Sequence, residues 1–191
     1  MTEAAAPEDG EEVPENFNYC PVESIRRSTE GSSGVAALTS ILKYWDTEAS
    51  DSELLNAYPL GEEKGYSIHK LQRIAIDKGL TAFALTMKNN PLQHLSEQLE
   101  YGRPILVTVR FPDGTYFGQP VEQGAPVAVP TDPTAPAVEL DKGVEHVVVV
   151  FGQSEKQFLI MDPAFGVLSV DKATFEKYWK EEKYSALLCS T

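Results

Sequence analysis

Cysteine is nearly absent from this chain. Cys20 and Cys189 are its two thiols, too few to build a disulfide framework in a protein of this size. Histidine is almost as rare: His69, His94 and His146 lie scattered, with no ligand spacing between them or to the cysteines. No metal site is expected from such a set, and no cofactor, since a glycine-rich phosphate loop is missing as well. Long apolar runs are also missing. The longest, such as Val147–Phe151, fall far short of a bilayer span, so no membrane insertion is expected. The N-terminus has neither the basic nor the apolar segment of a secretory signal, which points to the cytoplasm. Basic residues are outnumbered, 16 against 29 acidic ones, for a formal net charge of −13. Nucleic-acid backbones and anionic membrane surfaces repel such a chain, so both drop out as partners.

What remains is an ordinary globular composition, 42% hydrophobic and 24% charged over 191 residues. That length suffices to bury a sizeable core. Residues 1–17 are expected to form a disordered acidic tail, because MTEAAAPEDGEEVPEN carries six carboxylates and no Lys or Arg. The domain is expected over 18–191.

Hydrophobic periodicity places helices first. Val35, Leu38, Ile41, Leu42 and Trp45 recur at helical spacing within Ser33–Trp45. Asp51–Tyr58 follows, capped by Ser50 or Asp51, and Ser67–Lys78 runs from the Ser67 cap to Gly79. A strand is expected at Thr81–Met87, then a helix capped at Asn90-Pro91. Strand patterns dominate thereafter, at Pro104–Phe111, Glu145–Gly152, Gln157–Met161, Val167–Val170 and Ser185–Cys189, with one more helix capped by Asp171. Pro112–Val144 contains six prolines and is expected to be an irregular insertion, either an ordered lid or a partner-binding arm. Helices followed by strands indicate an α+β fold, a helical N-terminal half on an antiparallel sheet.

Three positions could share one site. Ser33 opens the first long helix, His146 starts a central strand, and Asp162 ends the next one. In an antiparallel hairpin His146 and Asp162 become near neighbours, a carboxylate orienting an imidazole. A residue at a helix N-terminus meets the positive end of the helix dipole. Each position also has a reading without chemistry: Ser32 or Ser33 as an N-cap, His146 as a half-buried strand residue, Asp162 as the turn residue before Pro163. Cys189, in the apolar last strand, reads as an inert buried thiol, and Cys20 is not expected to act as a nucleophile.

The order nucleophile, His, Asp resembles that of papain-like cysteine peptidases, and more narrowly of the bacteriocin-processing peptidases that cut after double-glycine leaders. That family has a Gln followed by Asp-Cys-Gly-Pro-Ala-Ala-Leu opening a helix. Here Ser32-Ser33-Gly34-Val35-Ala36-Ala37-Leu38 occupies the motif. Gly65-Tyr66-Ser67, Gly102-Arg103-Pro104-Ile105, His146-Val147-Val148-Val149 and Met161-Asp162-Pro163-Ala164 resemble its later segments, in the same order. The resemblance implies a papain-like fold with Ser33, His146 and Asp162 at the triad positions. It also puts Arg27 where the family has its oxyanion-hole glutamine, and Ser33 where it has cysteine. Those two departures imply a pseudo-peptidase that binds a peptide or partner protein, such as a leader peptide or an exporter component, without cutting it. An active hydrolase with a Ser33–His146–Asp162 triad, and a structural or assembly subunit, are the alternatives.

Overall fold

The computed structural model describes residues 16–29, 31–118 and 145–191. Most of the acidic tail and residues 119–144 of the Pro-rich stretch lie outside the described residues. In chain order the elements are β1 (Asn18–Tyr19), α1 (Ser33–Tyr44), α2 (Asp51–Ala57), α3 (Ile68–Asp77), β2 (Thr81–Thr86), α4 (Pro91–Glu100) and β3 (Ile105–Arg110). They continue with β4 (Glu145–Gln153), β5 (Gln157–Asp162), β6 (Gly166–Asp171), α5 (Lys172–Lys180) and β7 (Ser185–Ser190).

The strands make one sheet in the order β2-β7-β3-β4-β5-β6, every neighbouring pair antiparallel. The short β1 joins β4 beyond a bulge, pairing Tyr19 with Gly152. Side chains alternate across a strand, and in β4 both sets are apolar. Val147, Val149 and Phe151 face α1 and α3, while Val148 and Val150 face α4 and α5. The expected helical half therefore divides: α1–α3 cover one face of the sheet, and α4 joins α5 on the other. Periodicity reports that a helix has one apolar side, not which face of a sheet receives it.

Capping is partly as expected. Ser50 and Glu53 form a reciprocal capping box on α2, and Ser67 accepts the Lys70 N–H at the start of α3. Gly79, at φ +95°, follows the end of α3. Three expected caps differ. Ser32 is not extended (φ −90°, ψ 8°), so its hydroxyl turns back to donate to the Thr29 carbonyl and accept the Thr29 N–H, leaving α1 without a side-chain cap. Asn90 is left-handed and makes no capping bond, with Pro91 opening the helix instead. Asp171 makes none either and stays in register with Gln157 as the last residue of β6. Among the described residues, no helix is long and apolar enough to cross a membrane.

Candidate active site

Two anchors fix how α1 lies on the sheet. At its C-terminal end Tyr44 Oη donates to the Gly102 carbonyl, just before β3 begins. β3 and β4 are antiparallel, with Ile105 opposite Val150 and Val109 opposite His146. A 12-residue helix covers about 18 Å, close to the length of β3, so the Ser33 end of α1 lies toward the strand ends that carry His146 and Asp162. The segment leading into α1 supports this placement. Its Cys20 N–H donates to Phe151 O at one end of β4, and its Arg27 N–H donates to Pro163 O in the turn after Asp162.

Ser33 is the first residue of α1 and is only 6% exposed. Among the described residues its hydroxyl has no hydrogen-bond partner. The next residue has to be small: a Cβ on Gly34 would lie 2.9 Å from Tyr66 Cβ and 3.2 Å from Leu71. Tyr66 is buried there, its hydroxyl donating to the Tyr58 carbonyl. The Gly65-Tyr66-Ser67 segment thus acts as the floor on which the head of α1 rests.

His146 and Asp162 are in direct contact. His146 Nε2 lies 2.8 Å from Oδ1 and 2.9 Å from Oδ2 of Asp162. The carboxylate is fully buried, and it accepts the Ala164 N–H at 2.8 Å on Oδ1 and the Tyr116 hydroxyl on Oδ2. Burial pushes the Asp162 carboxyl up. The charge and hydrogen bond of His146, with the bonds from Tyr116 and Ala164, outweigh it and hold the group below the usual carboxylate range. Tyr116 responds oppositely: burial and the neighbouring negative charge push its phenol well above the ordinary value, with Arg26 opposing. Arg26 itself donates to the Ala164 carbonyl at 2.8 Å. Because Asp162 is ionised and can only accept, the hydrogen on this side of the imidazole sits on Nε2. His146 Nδ1 has no hydrogen-bond partner among the described residues.

The structure therefore brings His146 and Asp162 into one pair and puts Ser33 at the same end of the sheet. Arg27 touches the Asp162 turn through its backbone; its side chain makes no hydrogen bond among the described residues. Neither cysteine belongs to this end. Burial raises both thiols, Cys189 to about 12, and Tyr44 partly offsets the effect at Cys20. His69 and His94 are exposed on α3 and α4. No group of three His, Cys, Asp or Glu among the described residues could hold a metal ion.

Sequence reasoning missed Tyr116. The aromatic pair Tyr116-Phe117, inside the stretch expected to be an irregular insertion, lies in the core among Phe111, Phe165, Phe175 and Tyr178. The reason is local. Asp113 accepts from Thr115 N–H and Oγ1 and from the Tyr178 hydroxyl, which pins the turn after β3 onto α5 and sends the next two side chains inward. The Thr115 bonds hold the Asp113 carboxyl down at about 2. Two adjacent aromatics in a stretch of Gly and Pro were the only signal.

Three comparisons bear on this geometry. A model of the peptidase C39-like family matches residues 22–187. No curated protein matches. Among solved structures, a C39-like protein from Bacillus anthracis is 18% identical, with a TM-score of 0.63 over 89% of this chain and 94% of that one. The peptidase domain of Streptococcus ComA, a bifunctional ABC transporter in quorum sensing, is 16% identical, with a TM-score of 0.58 over 87% and 96%. A double-glycine-motif protease from an AMS/PCAT transporter, in complex with its leader peptide, is 16% identical, with a TM-score of 0.58 over 90% and 93%. At these identities the structures speak to the fold alone, a papain-like α+β arrangement of helices on an antiparallel sheet. With the family model spanning most of its length, this chain belongs to the peptidase C39-like family.

Proposed function

We propose that the chain is a pseudo-peptidase, a C39-like domain whose cleft binds a peptide or partner protein without cleaving it. The observation that carries this reading is a hydroxyl, on Ser33, at the head of α1. A papain-like site depends on a thiol that ionises against histidine, lowering its pKa by several units. A serine hydroxyl does not ionise there and needs base-assisted attack instead. Arg27 then stands where the family places an amide donor. Loss of one such donor costs about 10²–10³ in rate, and a long cation is a poor replacement for a fixed amide. In this reading Ser33 Oγ faces His146 Nδ1 within roughly 5 Å, the loose geometry of an unliganded site. The bound partner is a leader peptide or an exporter component met in the cytoplasm. The leader peptide held by one fold neighbour supports the choice.

A double-glycine leader peptide titrated into the protein should bind saturably and be recovered uncut. Failure to bind any leader would leave the scaffold role. The intact His146–Asp162 pair favours a second reading, an active serine triad. Cleavage that disappears in Ser33→Ala would establish that reading and discard the first. Ser33→Cys alone should restore little activity, whereas Ser33→Cys with Arg27→Gln should restore more.

A further inference from the structure

The Asp162 carboxylate, sealed from solvent, is matched donor by donor. His146 reaches it from β4, the Ala164 N–H from its own turn, and Tyr116 from the segment that follows β3. Arg26, from the lead-in to α1, faces the same cluster. The Tyr116 ring is closed in by Phe111, Phe117 and Phe165, with centroids 5.3, 4.9 and 4.3 Å away. Tyr116 and Asp162 are both buried, so Oδ2 would lose a hydrogen-bond donor if the phenol hydroxyl were removed.

We propose that Tyr116 is a positioning residue for the His146–Asp162 pair: by holding Oδ2 it stops the carboxylate from rotating, keeps the imidazole hydrogen on Nε2, and leaves the Nδ1 lone pair facing the cleft. The proposal rests on reading His146 and Asp162 as the family's histidine and aspartate positions. Tyr116 suits the task because an ionised carboxylate only accepts, so the phenol facing it donates. The Asp162 charge holds the phenol proton in place, and the phenol in turn stabilises the charge. Two neutral donors and the Nε2–H satisfy the carboxylate without demanding a second proton on the ring. A lone pair at Nδ1 selects its occupant, which must offer a hydrogen, as the Ser33 hydroxyl or a peptide N–H does. The first residues of the Pro-rich stretch are therefore part of the site, and the stretch cannot be excised at Pro112 without loosening it.

Magnetic resonance on the full chain, with ¹⁵N-labelled histidine and ¹³C-labelled aspartate, tests this. The wild-type His146 should show a single tautomer, protonated on Nε2. Tyr116→Phe keeps the ring and its packing; in it the Asp162 carboxyl should titrate at higher pH and the His146 signals should become a mixture of tautomers. An unchanged Asp162 titration together with an unchanged single tautomer would reduce Tyr116 to a packing residue. If the variant does not fold, the wild-type hydroxyl proton decides. It should be a slowly exchanging, downfield resonance at neutral pH, and rapid exchange would overturn the proposal. Leader-peptide binding measured on the same samples separates the two readings. A wild type that binds no peptide but shows the lock loses only its proposed function, whereas a binder without the lock loses only the role of Tyr116.

Discussion

The two faces of the sheet are built from different materials. Under α1–α3 the packing is mainly aliphatic, with Val35, Leu38, Ile41, Leu42, Leu54, Leu71 and Ile74 fully buried. Under α4 and α5 it is aromatic, with Phe111, Tyr116, Phe117, Phe158, Phe165, Phe175, Tyr178 and Trp179 in one cluster. The aliphatic side delivers a helix head; the aromatic side delivers the imidazole and its carboxylate. Aliphatic side chains fill volume without direction, which is all that seating a helix needs. Aromatic rings bring shape, water exclusion and, in Tyr116, a polar handle, as a buried charge requires. The site lies where these two materials meet at one end of the sheet.

The largest expected effect separates the two faces. Phe175→Ala, which empties the space between Phe158, Phe117 and Trp179, should cost about 3–5 kcal/mol in urea unfolding. Its loosening should also move the Asp162 titration. Leu38→Ala on the other face should cost about 2–5 kcal/mol and leave that titration in place. Equal effects on Asp162 from both would erase the distinction.

A smaller effect is expected at the head of α1. Alanine is the better helix former than glycine by about 1 kcal/mol. Gly34→Ala should nevertheless destabilise, because its Cβ meets Tyr66 Cβ, an atom that cannot swing aside. Overpacking of this kind costs about 1–3 kcal/mol, so a net loss of about 1 kcal/mol is expected. A stabilised variant would show that the floor under Ser33 yields.

The last effect is present at neutral pH and fades in acid. Asp162 is held below the usual carboxylate range in the folded state. Its contribution is therefore complete above the unfolded pKa of about 3.9, and is lost as pH falls through the lower folded value. Acid unfolding followed by circular dichroism should set in at higher pH for Tyr116→Phe than for wild type. Coincident acid transitions would mean that the phenol contributes nothing to the ionised carboxylate.

Much of the fold was legible because its signals are periodic. The apolar spacing of α1 and the dense β-branched run of β4 point to one structure each, and the observed bounds differ from expectation by a residue or two. β1 was not legible: two residues, Asn18 and Tyr19, carry no period, and their pairing depends on the bulge that frees the edge of β4. In the site, the His146–Asp162 contact was legible as a consequence of hairpin pairing. Tyr116 was not, because what buries it is a bond between Asp113 and Tyr178, 65 residues apart in sequence. The caps at Ser32 and Asn90 failed for a related reason. Residue type was right at both, but backbone conformation, set by the tertiary chain path, aims their side chains elsewhere.

The lead-in to α1 is a ruler. Cys20 is tied to one end of β4 and Arg27 to the turn beyond β5, each through its main-chain N–H. The two ties are seven positions apart, and such a stretch reaches at most about 25 Å when fully drawn out. What stands at position 27 is therefore decided by counting along the chain and not by the side chain found there. Exchanging Arg27 for another residue leaves the ruler unchanged, because both ties are main-chain bonds. Removing one residue between the ties would shift every later mark by about 3.3–3.6 Å, bringing Ser28 to the Pro163 carbonyl and drawing the head of α1 out of step with His146.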